Sequence, residues 1–110
     1  MALNKKNRLK KKRDFEDVFK KGKAVKGSFL LIKYKKNESG ASKFGFVISA
    51  KVAKKAVERN KIRRILSETV RSKISGFDGY DIIVFATGKI ISARKEDVVK
   101  DFVEVLKKIQ

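Results

Sequence analysis

Four residue types are missing from this 110-residue chain: it has no cysteine, histidine, tryptophan or proline. Without cysteine no disulfide forms, and without cysteine and histidine the usual zinc ligands are absent. The same absence excludes the Ser-His and Cys-His pairs that activate most protein nucleophiles. Any chemistry performed by the chain itself would have to come from carboxylates, lysines or tyrosines.

Long hydrophobic runs are missing as well. No stretch approaches the roughly 20 apolar residues that span a bilayer, and the basic start is not followed by an apolar run of signal-peptide length. These features indicate a cytoplasmic protein. Hydrophobic residues make up 42% of the chain, which is enough for one modest core. We therefore expect a single folded domain.

Acidic side chains are scarce: the chain has 12 of them and 30 lysines and arginines, which gives a net charge of +18. Residues 1–28 hold 11 basic and 3 acidic side chains, and residues 51–75 hold 9 and 2. Residues 76–110, by contrast, hold 6 of each. Charge that served solubility would be spread evenly, so two basic segments indicate a polyanionic partner.

Hydrophobic periodicity predicts an α+β domain with the element order α-β-β-α-β-α. Residues 1–13 are predicted to form a basic arm, and residues 14–110 the domain. The first two strands are expected to pair as an antiparallel hairpin, and the nearly all-apolar third strand to be central and covered on both faces. Ser92 is a candidate N-cap for the last helix. The predicted elements are a helix over 14–21, strands over 28–36, 43–49 and 80–86, a helix over 54–74 and a C-terminal helix.

The central helix has a buried and a basic face. At about 100° per residue, Ile62, Ile65, Leu66 and Thr69 fall together and are predicted to be buried. Only two glutamates are available for the six basic residues between 59 and 73, so most of these charges lack a partner in the helix. Four of the chain's seven arginines lie here, and a guanidinium can grip two phosphate oxygens. The opposite, phosphate-binding face is predicted to hold Asn60, Arg63, Arg64, Ser67 and Arg71, with Arg59 near its border.

The segment Arg59-Asn60-Lys61-Ile62-Arg63-Arg64 resembles the "RNR" signature of the bacterial ribonuclease P protein subunit. Other blocks of the chain resemble the same family in the same order, and together they cover about residues 5–108. These blocks are Arg13-Asp14-Phe15, Val18-Phe19-Lys20-Lys21-Gly22, Gly45-Phe46-Val47-Ile48-Ser49 and Tyr80-Asp81-Ile82-Ile83-Val84.

The resemblance implies a function and a fold. In that family a catalytic RNA removes the 5′ leader from precursor tRNA with Mg²⁺ ions that the RNA holds, and the protein binds no cofactor of its own. The implied fold is a single α-β sandwich whose mixed sheet contains a left-handed βαβ crossover, as in a domain of a small-subunit ribosomal protein. The implied partners are the catalytic RNA and the leader of precursor tRNA, with no membrane and no small-molecule substrate.

The resemblance also implies roles for individual residues. Phe15 and Phe19 would line a cleft for the leader, each ring with one edge buried and one exposed. Tyr34 would replace a leader-contacting tyrosine that some members place at Ile32, and Lys89 would be the remaining base after the third strand. The residues implied to contact the catalytic RNA are Arg59, Asn60, Lys61, Arg63, Arg64 and Arg71. Those implied to contact the leader are Lys12, Phe15, Phe19, Tyr34, Ser49, Lys51 and Lys89.

Two other functions are compatible with parts of the sequence. Charge alone would suit a small structural RNA-binding protein, such as a ribosomal protein. A protein-only nuclease would need carboxylates as metal ligands, and its candidates look more like turn and helix-cap acids. Those candidates are Asp78, Asp81, Glu96 and Asp97.

Overall fold

The computed structural model describes residues 7–37, 40–73 and 79–109. These residues include three α-helices, four strands and a short 3₁₀ turn over Gly88–Ser92. The helices are α1 (Lys12–Lys21), α2 (Ala56–Lys73) and α3 (Lys95–Lys107). The strands are β1 (Lys23–Lys26), β2 (Leu30–Lys36), β3 (Lys43–Val47) and β4 (Tyr80–Ala86).

The four strands form one mixed sheet in the order β1-β2-β4-β3. β4 pairs antiparallel with β2 and parallel with β3, so α2 is the crossover between two parallel strands. Ile82, Ile83 and Val84 have no solvent exposure, which confirms the prediction of a central strand covered on both faces. The α+β class and the mixed sheet are also confirmed.

The predicted hairpin between the second and third elements is wrong. β2 and β3 do not pair, because β4 lies between them. The apolar strand β4 is buried best in the interior of the sheet. In that position it lies between β2 and β3, which are consecutive strands in the sequence. β2 instead forms its sequence-adjacent pair with β1, whose register runs from Lys23 opposite Tyr34 to Lys26 opposite Leu31. β1 was not predicted, because its four residues are mostly exposed and include two lysines.

Helices cover both faces of the sheet. Val18 of α1 packs with Ile83 of β4 in a small cluster on one face. On the other face, Leu66 of α2 and Phe102 of α3 belong to the main core. Side chains alternate between these faces along each strand. The sheet residues therefore form two sets, one facing α1 and the other facing α2 and α3. Only residues of the same set can contribute to one binding surface on a face of the sheet.

Several predicted boundaries differ from the structure. α1 begins at Lys12, two residues before the predicted start. Ser92 is not the N-cap of the last helix: it ends the 3₁₀ turn, and Arg94 precedes α3 without a side-chain cap. The end predicted for the central helix at residue 74, and the glycine-containing break expected after it over 76–79, fall outside the described residues apart from Gly79.

The predicted basic arm contains a buried anchor. Leu9 is 6% exposed, and its N–H donates to the carbonyl oxygen of Phe44 at 3.0 Å. The side-chain amide of Asn7 donates to the Ser42 carbonyl oxygen at 2.9 Å. Residues 7–9 thus lie along the outer edge of β3, while residues 1–6 lie outside the described part. The polar composition of this segment concealed the apolar contact that Leu9 makes with the domain.

No helix in the described parts of the chain combines the length and the apolar character that crossing a membrane requires.

Candidate nucleic-acid interface

A groove of about 460 Å³ lies over the outer edge of β3. Arg8 and Lys10 contribute to it from the N-terminal segment, and Arg63 and Arg64 from α2. Segments more than 50 positions apart in the sequence thus place four cations around one groove. We call it the edge groove, and its lining residues are Arg8, Leu9, Lys10, Phe15, Phe44, Gly45, Phe46, Asn60, Arg63, Arg64 and Ser67.

Phe15 lies in the edge groove because position 45 is glycine. A Cβ atom on Gly45 would lie 2.6 Å from both Cε1 and Cζ of the Phe15 ring. Real Cβ atoms do not approach other atoms so closely, so the ring rests directly on the backbone of β3. Phe15 remains half-buried, and its accessible side faces the groove.

Phe19 lies one helical turn after Phe15 and is 45% exposed. Its ring centroid is 5.4 Å from that of Phe85, with the planes tilted by 59°. The Nζ atom of Lys33 is 4.9 Å from the Phe19 centroid. We call Phe19, Phe85 and Lys33 the Phe19 cluster. Both predicted leader-stacking rings are therefore partly packed and partly exposed, as predicted.

The hexamer Arg59–Arg64 does not act as one surface. Asn60, Arg63 and Arg64 line the edge groove, and the Arg63 guanidinium donates to Oδ1 of Asn60 at 3.2 Å. Arg59 instead donates from Nη1 to the carbonyl oxygens of Ala53 and Lys54, both at 2.9 Å, and so holds the loop that precedes α2. Lys61 lines a separate pocket beside Ile90 and Val98. Among the described residues, no carboxylate lies within 4 Å of Arg63 or Arg64.

The buried face of α2 is wider than predicted. Ile62, Leu66 and Thr69 are buried as expected, but Ser67 is only 8% exposed although it was assigned to the basic face. It forms part of the wall of the edge groove, where α2 approaches β3. Arg71 is exposed further along α2 and does not line the groove.

Tyr34 does not lie in the cleft where it was predicted. Tyr34 packs against the main core, on the face that α2 and α3 cover, whereas Phe15 packs with the small cluster under α1. The strand residue that reaches the ring of Phe19 is its neighbour Lys33. Because side chains alternate along β2, Lys33 and Tyr34 lie on opposite faces of the sheet. The sequence did not indicate which of these faces α1 would cover.

The other predicted leader contacts are exposed. Lys12 begins α1, three residues before Phe15. Ser49 and Lys51 lie in the loop after β3, and Lys89 lies in the turn after β4. Because β3 and β4 are parallel, both loops leave the sheet at one end. Phe85 is the penultimate residue of β4, so this end lies beside the Phe19 cluster.

Sequence reasoning missed four side chains of this interface. Arg8 and Lys10 were assigned to an arm of undefined position, and Phe46 was treated only as part of a strand. Lys33 was passed over for its neighbour Tyr34. The signal that could have found Lys33 is the pattern of lysines at alternate positions of β2, which indicates a second, basic strand face.

The described carboxylates among those considered for a protein-only nuclease, Asp81, Glu96 and Asp97, are not gathered into a metal-binding cluster. The described residues contain no group of three or more side chains suited to hold a metal ion. Oδ1 of Asp81 accepts a hydrogen bond from the Asn37 amide at 2.8 Å, and Glu96 and Asp97 lie in the first turn of α3. Acids at that position favour the helix through its dipole. Asp78 lies outside the described residues.

Comparison with known proteins gives one consistent family. The family model described as Ribonuclease P matches residues 3–110. The ribonuclease P protein component of Syntrophomonas wolfei is 36% identical over 107 residues, covering 96% of this chain and 89% of that protein. The corresponding protein of Fusobacterium nucleatum is 38% identical over 106 residues, covering 92% and 95%.

Solved structures show the same relationship. The RNase P protein of Staphylococcus aureus superposes with a TM-score of 0.88 at 30% identity, covering 94% of this chain and 95% of that one. The protein from Thermotoga maritima gives a TM-score of 0.83 at 30% identity, covering 94% and 97%. A basic groove with aromatic residues, in a fold shared with these proteins, agrees with an RNA partner. The chain therefore belongs to the Ribonuclease P family of protein components, RNA-binding subunits of a tRNA-processing ribonucleoprotein.

Proposed function

We propose that this chain binds the catalytic RNA of ribonuclease P and the 5′ leader of precursor tRNA, and thereby assists removal of the leader. The observation that carries the proposal is the edge groove, where cations from residues 8–10 and 63–64 surround aromatic side chains. The family relationship disfavours the alternative of a ribosomal protein.

The leader would follow the edge groove and continue over the Phe19 cluster. Phosphates along this path would meet the cations of the groove, while Phe15 and Phe19 would stack on unpaired bases. Such stacking is worth about 1–3 kcal/mol per base and depends little on base identity. A protein that handles many precursor tRNAs needs this combination of affinity and tolerance.

The catalytic RNA would occupy the exposed side of α2. Asn60, Arg63 and Arg64 line the groove from α2, so RNA bound on the outer side of that helix would lie next to the leader. Arg71 and Lys61 would extend the contact along and around α2, whereas Arg59 would act through the loop that it holds. In this arrangement the protein brings the leader and the catalyst together.

The cleavage chemistry would belong to the RNA subunit, whose Mg²⁺ ions would supply the electrophilic assistance. The described ranges hold no cluster of three or more candidate metal ligands, so they give no reason to assign the Mg²⁺ ions to this chain. Mg²⁺ is usually bound through one or two carboxylates together with water and phosphate oxygens, and RNA supplies phosphate oxygens. The side chains of this protein would instead bind phosphates, hold unpaired bases and align the substrate.

Reconstitution tests the proposal. The purified chain is added to a bacterial ribonuclease P RNA and a precursor tRNA at low Mg²⁺ concentration, and 5′ cleavage is followed over time. We expect the chain to raise the cleavage rate, and we expect Arg63→Ala/Arg64→Ala to lose most of this gain. Lys100→Gln/Lys107→Gln on α3 removes the same charge outside the groove and serves as the control. Absence of any gain with the unaltered chain would overturn the proposal.

A further inference from the structure

A second basic and aromatic pocket lies at the opposite side of the sheet from the edge groove. It has a volume of about 500 Å³, and Tyr34 and Tyr80 form its aromatic part, with ring centroids 6.1 Å apart in an edge-to-face arrangement. We call it the Tyr34 pocket. Its lining residues are Lys21, Lys23, Tyr34, Lys35, Lys36, Tyr80 and Ile109.

Strand register explains how lysine and tyrosine alternate in this pocket. Lys23 of β1 is directly opposite Tyr34 of β2, and Lys36 of β2 is directly opposite Tyr80 of β4. Residues opposite each other in a sheet share a face, as do residues two apart along a strand. These four side chains therefore project from one face of the sheet as a diagonal pair of tyrosines flanked by two lysines.

The Tyr34 pocket is separate from the surface proposed for the leader. The edge groove lies at β3, the opposite edge of the sheet from β1, and the two pockets share no lining residue. Tyr34 and Tyr80 also pack against the main core, on the face away from α1 and the Phe19 cluster. RNA in the edge groove therefore contacts a different set of residues from RNA in this pocket.

Packing alone explains the tyrosines but not the lysines around them. Both tyrosine rings are half-buried against the core, which holds them in place for a ligand. In contrast, four lysines around one pocket repel each other. Within residues 7–37, 40–73 and 79–109, none of these lysines has a carboxylate oxygen within 4 Å. A bound polyanion would relieve this repulsion.

We propose that the Tyr34 pocket is a second RNA-contact surface, which binds an unpaired RNA segment through phosphates at Lys23 and Lys36 and a base on Tyr34 or Tyr80. The inference rests on the proposed function only in assuming an RNA partner. The catalytic RNA and precursor tRNA both present unpaired segments with this chemistry. The test therefore treats the two RNAs separately.

The test compares Lys23→Gln/Lys36→Gln with the control Lys100→Gln/Lys107→Gln in the full chain. Binding is measured against salt concentration for three RNAs: a uridine oligomer of about eight nucleotides, the catalytic RNA and precursor tRNA. Loss of two phosphate contacts to single-stranded RNA lowers the log–log salt slope by about 1.4. We expect this fall for the oligomer and for one of the two large RNAs, which identifies the natural source, and no such fall for the control.

Photocrosslinking gives an independent readout. A 4-thiouridine oligomer should crosslink to Tyr34 or Tyr80 in the unaltered chain, and Lys23→Gln/Lys36→Gln should reduce that crosslink several-fold without reducing a crosslink at Phe19. Equal slopes for the two variants together with no crosslink at either tyrosine would overturn the inference. If the unaltered chain still stimulates 5′ cleavage in that case, only the second surface fails and the proposed function stands.

Discussion

The ammonium group of Lys33 lies 4.9 Å from the ring centroid of Phe19, so a strand residue and a helix residue present a cation and an exposed aromatic ring side by side. The ring of Phe85 also packs against Phe19, with the two planes tilted by 59°. The ring can stack on an RNA base while the ammonium group binds the neighbouring phosphate, and neither contact depends on the identity of the base. This contact is the basis of the first prediction.

Phe19→Ala should weaken binding of precursor tRNA about tenfold and leave the affinity for mature tRNA unchanged. Loss of one stacked base costs about 1–3 kcal/mol, and about 1.4 kcal/mol corresponds to a factor of ten. Affinities of the reconstituted holoenzyme for the two RNAs provide the measurement. Val57→Ala, which truncates an apolar side chain that is 77% exposed outside the cluster, is the control. Equal losses for both RNAs would contradict the leader assignment.

Arg63→Ala/Arg64→Ala should reduce the salt dependence of catalytic-RNA binding. Each lost phosphate contact lowers the slope by nearly one unit, so we expect a decrease of up to about two. Titrations at several salt concentrations, with Lys100→Ala/Lys107→Ala in parallel, measure the change. An unchanged slope in the arginine variant would show that this part of α2 does not contact RNA.

Arg59→Ala should act mainly on stability. Its guanidinium donates to two backbone carbonyls in the loop before α2, and a hydrogen bond from a charged group contributes about 1.5–3 kcal/mol. We expect the free energy of unfolding in urea to fall by at least about 1.5 kcal/mol, with a smaller change of salt slope than for Arg63→Ala. An unchanged free energy of unfolding together with a decrease of salt slope as large as for Arg63→Ala would instead show that Arg59 contacts RNA directly.

Gly45→Ala should displace Phe15 from the edge groove, because the new Cβ would occupy the place of the ring. We expect weaker binding of precursor tRNA and lower stability. Phe15→Leu in the same chain should make Gly45→Ala less harmful, since the smaller side chain leaves room. A double-mutant cycle of unfolding free energies measures this coupling. Strict additivity of the two changes would show that the contact does not position Phe15.

Asp101→Ala should destabilise the domain without changing RNA binding by the folded protein. The buried carboxylate accepts hydrogen bonds from the N–H groups of Ser28 at 2.8 Å and Phe29 at 2.9 Å, and so ties α3 to the turn before β2. Removal leaves both donors without this partner, and we expect a loss of about 1.5–3 kcal/mol in urea unfolding. The exposed Glu104→Ala is the control on the same helix. A stability equal to that of the control would contradict this role.

Local patterns in the sequence were enough to predict several features. The period of Ile62, Leu66 and Thr69 predicted the buried face of α2, and the apolar run Tyr80–Ala86 predicted a central strand. The excess of basic over acidic residues in α2 predicted a polyanion-binding helix. Such features depend on neighbours one or two turns away, or on composition alone, so a single sequence contains them.

Only the tertiary structure decided which of these parts meet. It placed β4 between β2 and β3, set Leu9 against β3 and brought Arg8 and Arg63 to one groove. It also separated Lys33 from Tyr34, one beside the Phe19 ring and the other in a second pocket. Periodicity tells which residues share a face of an element, but which face another element covers depends on packing between distant segments. The sequence therefore determined the basic helix and the family, whereas the fold decided the groove.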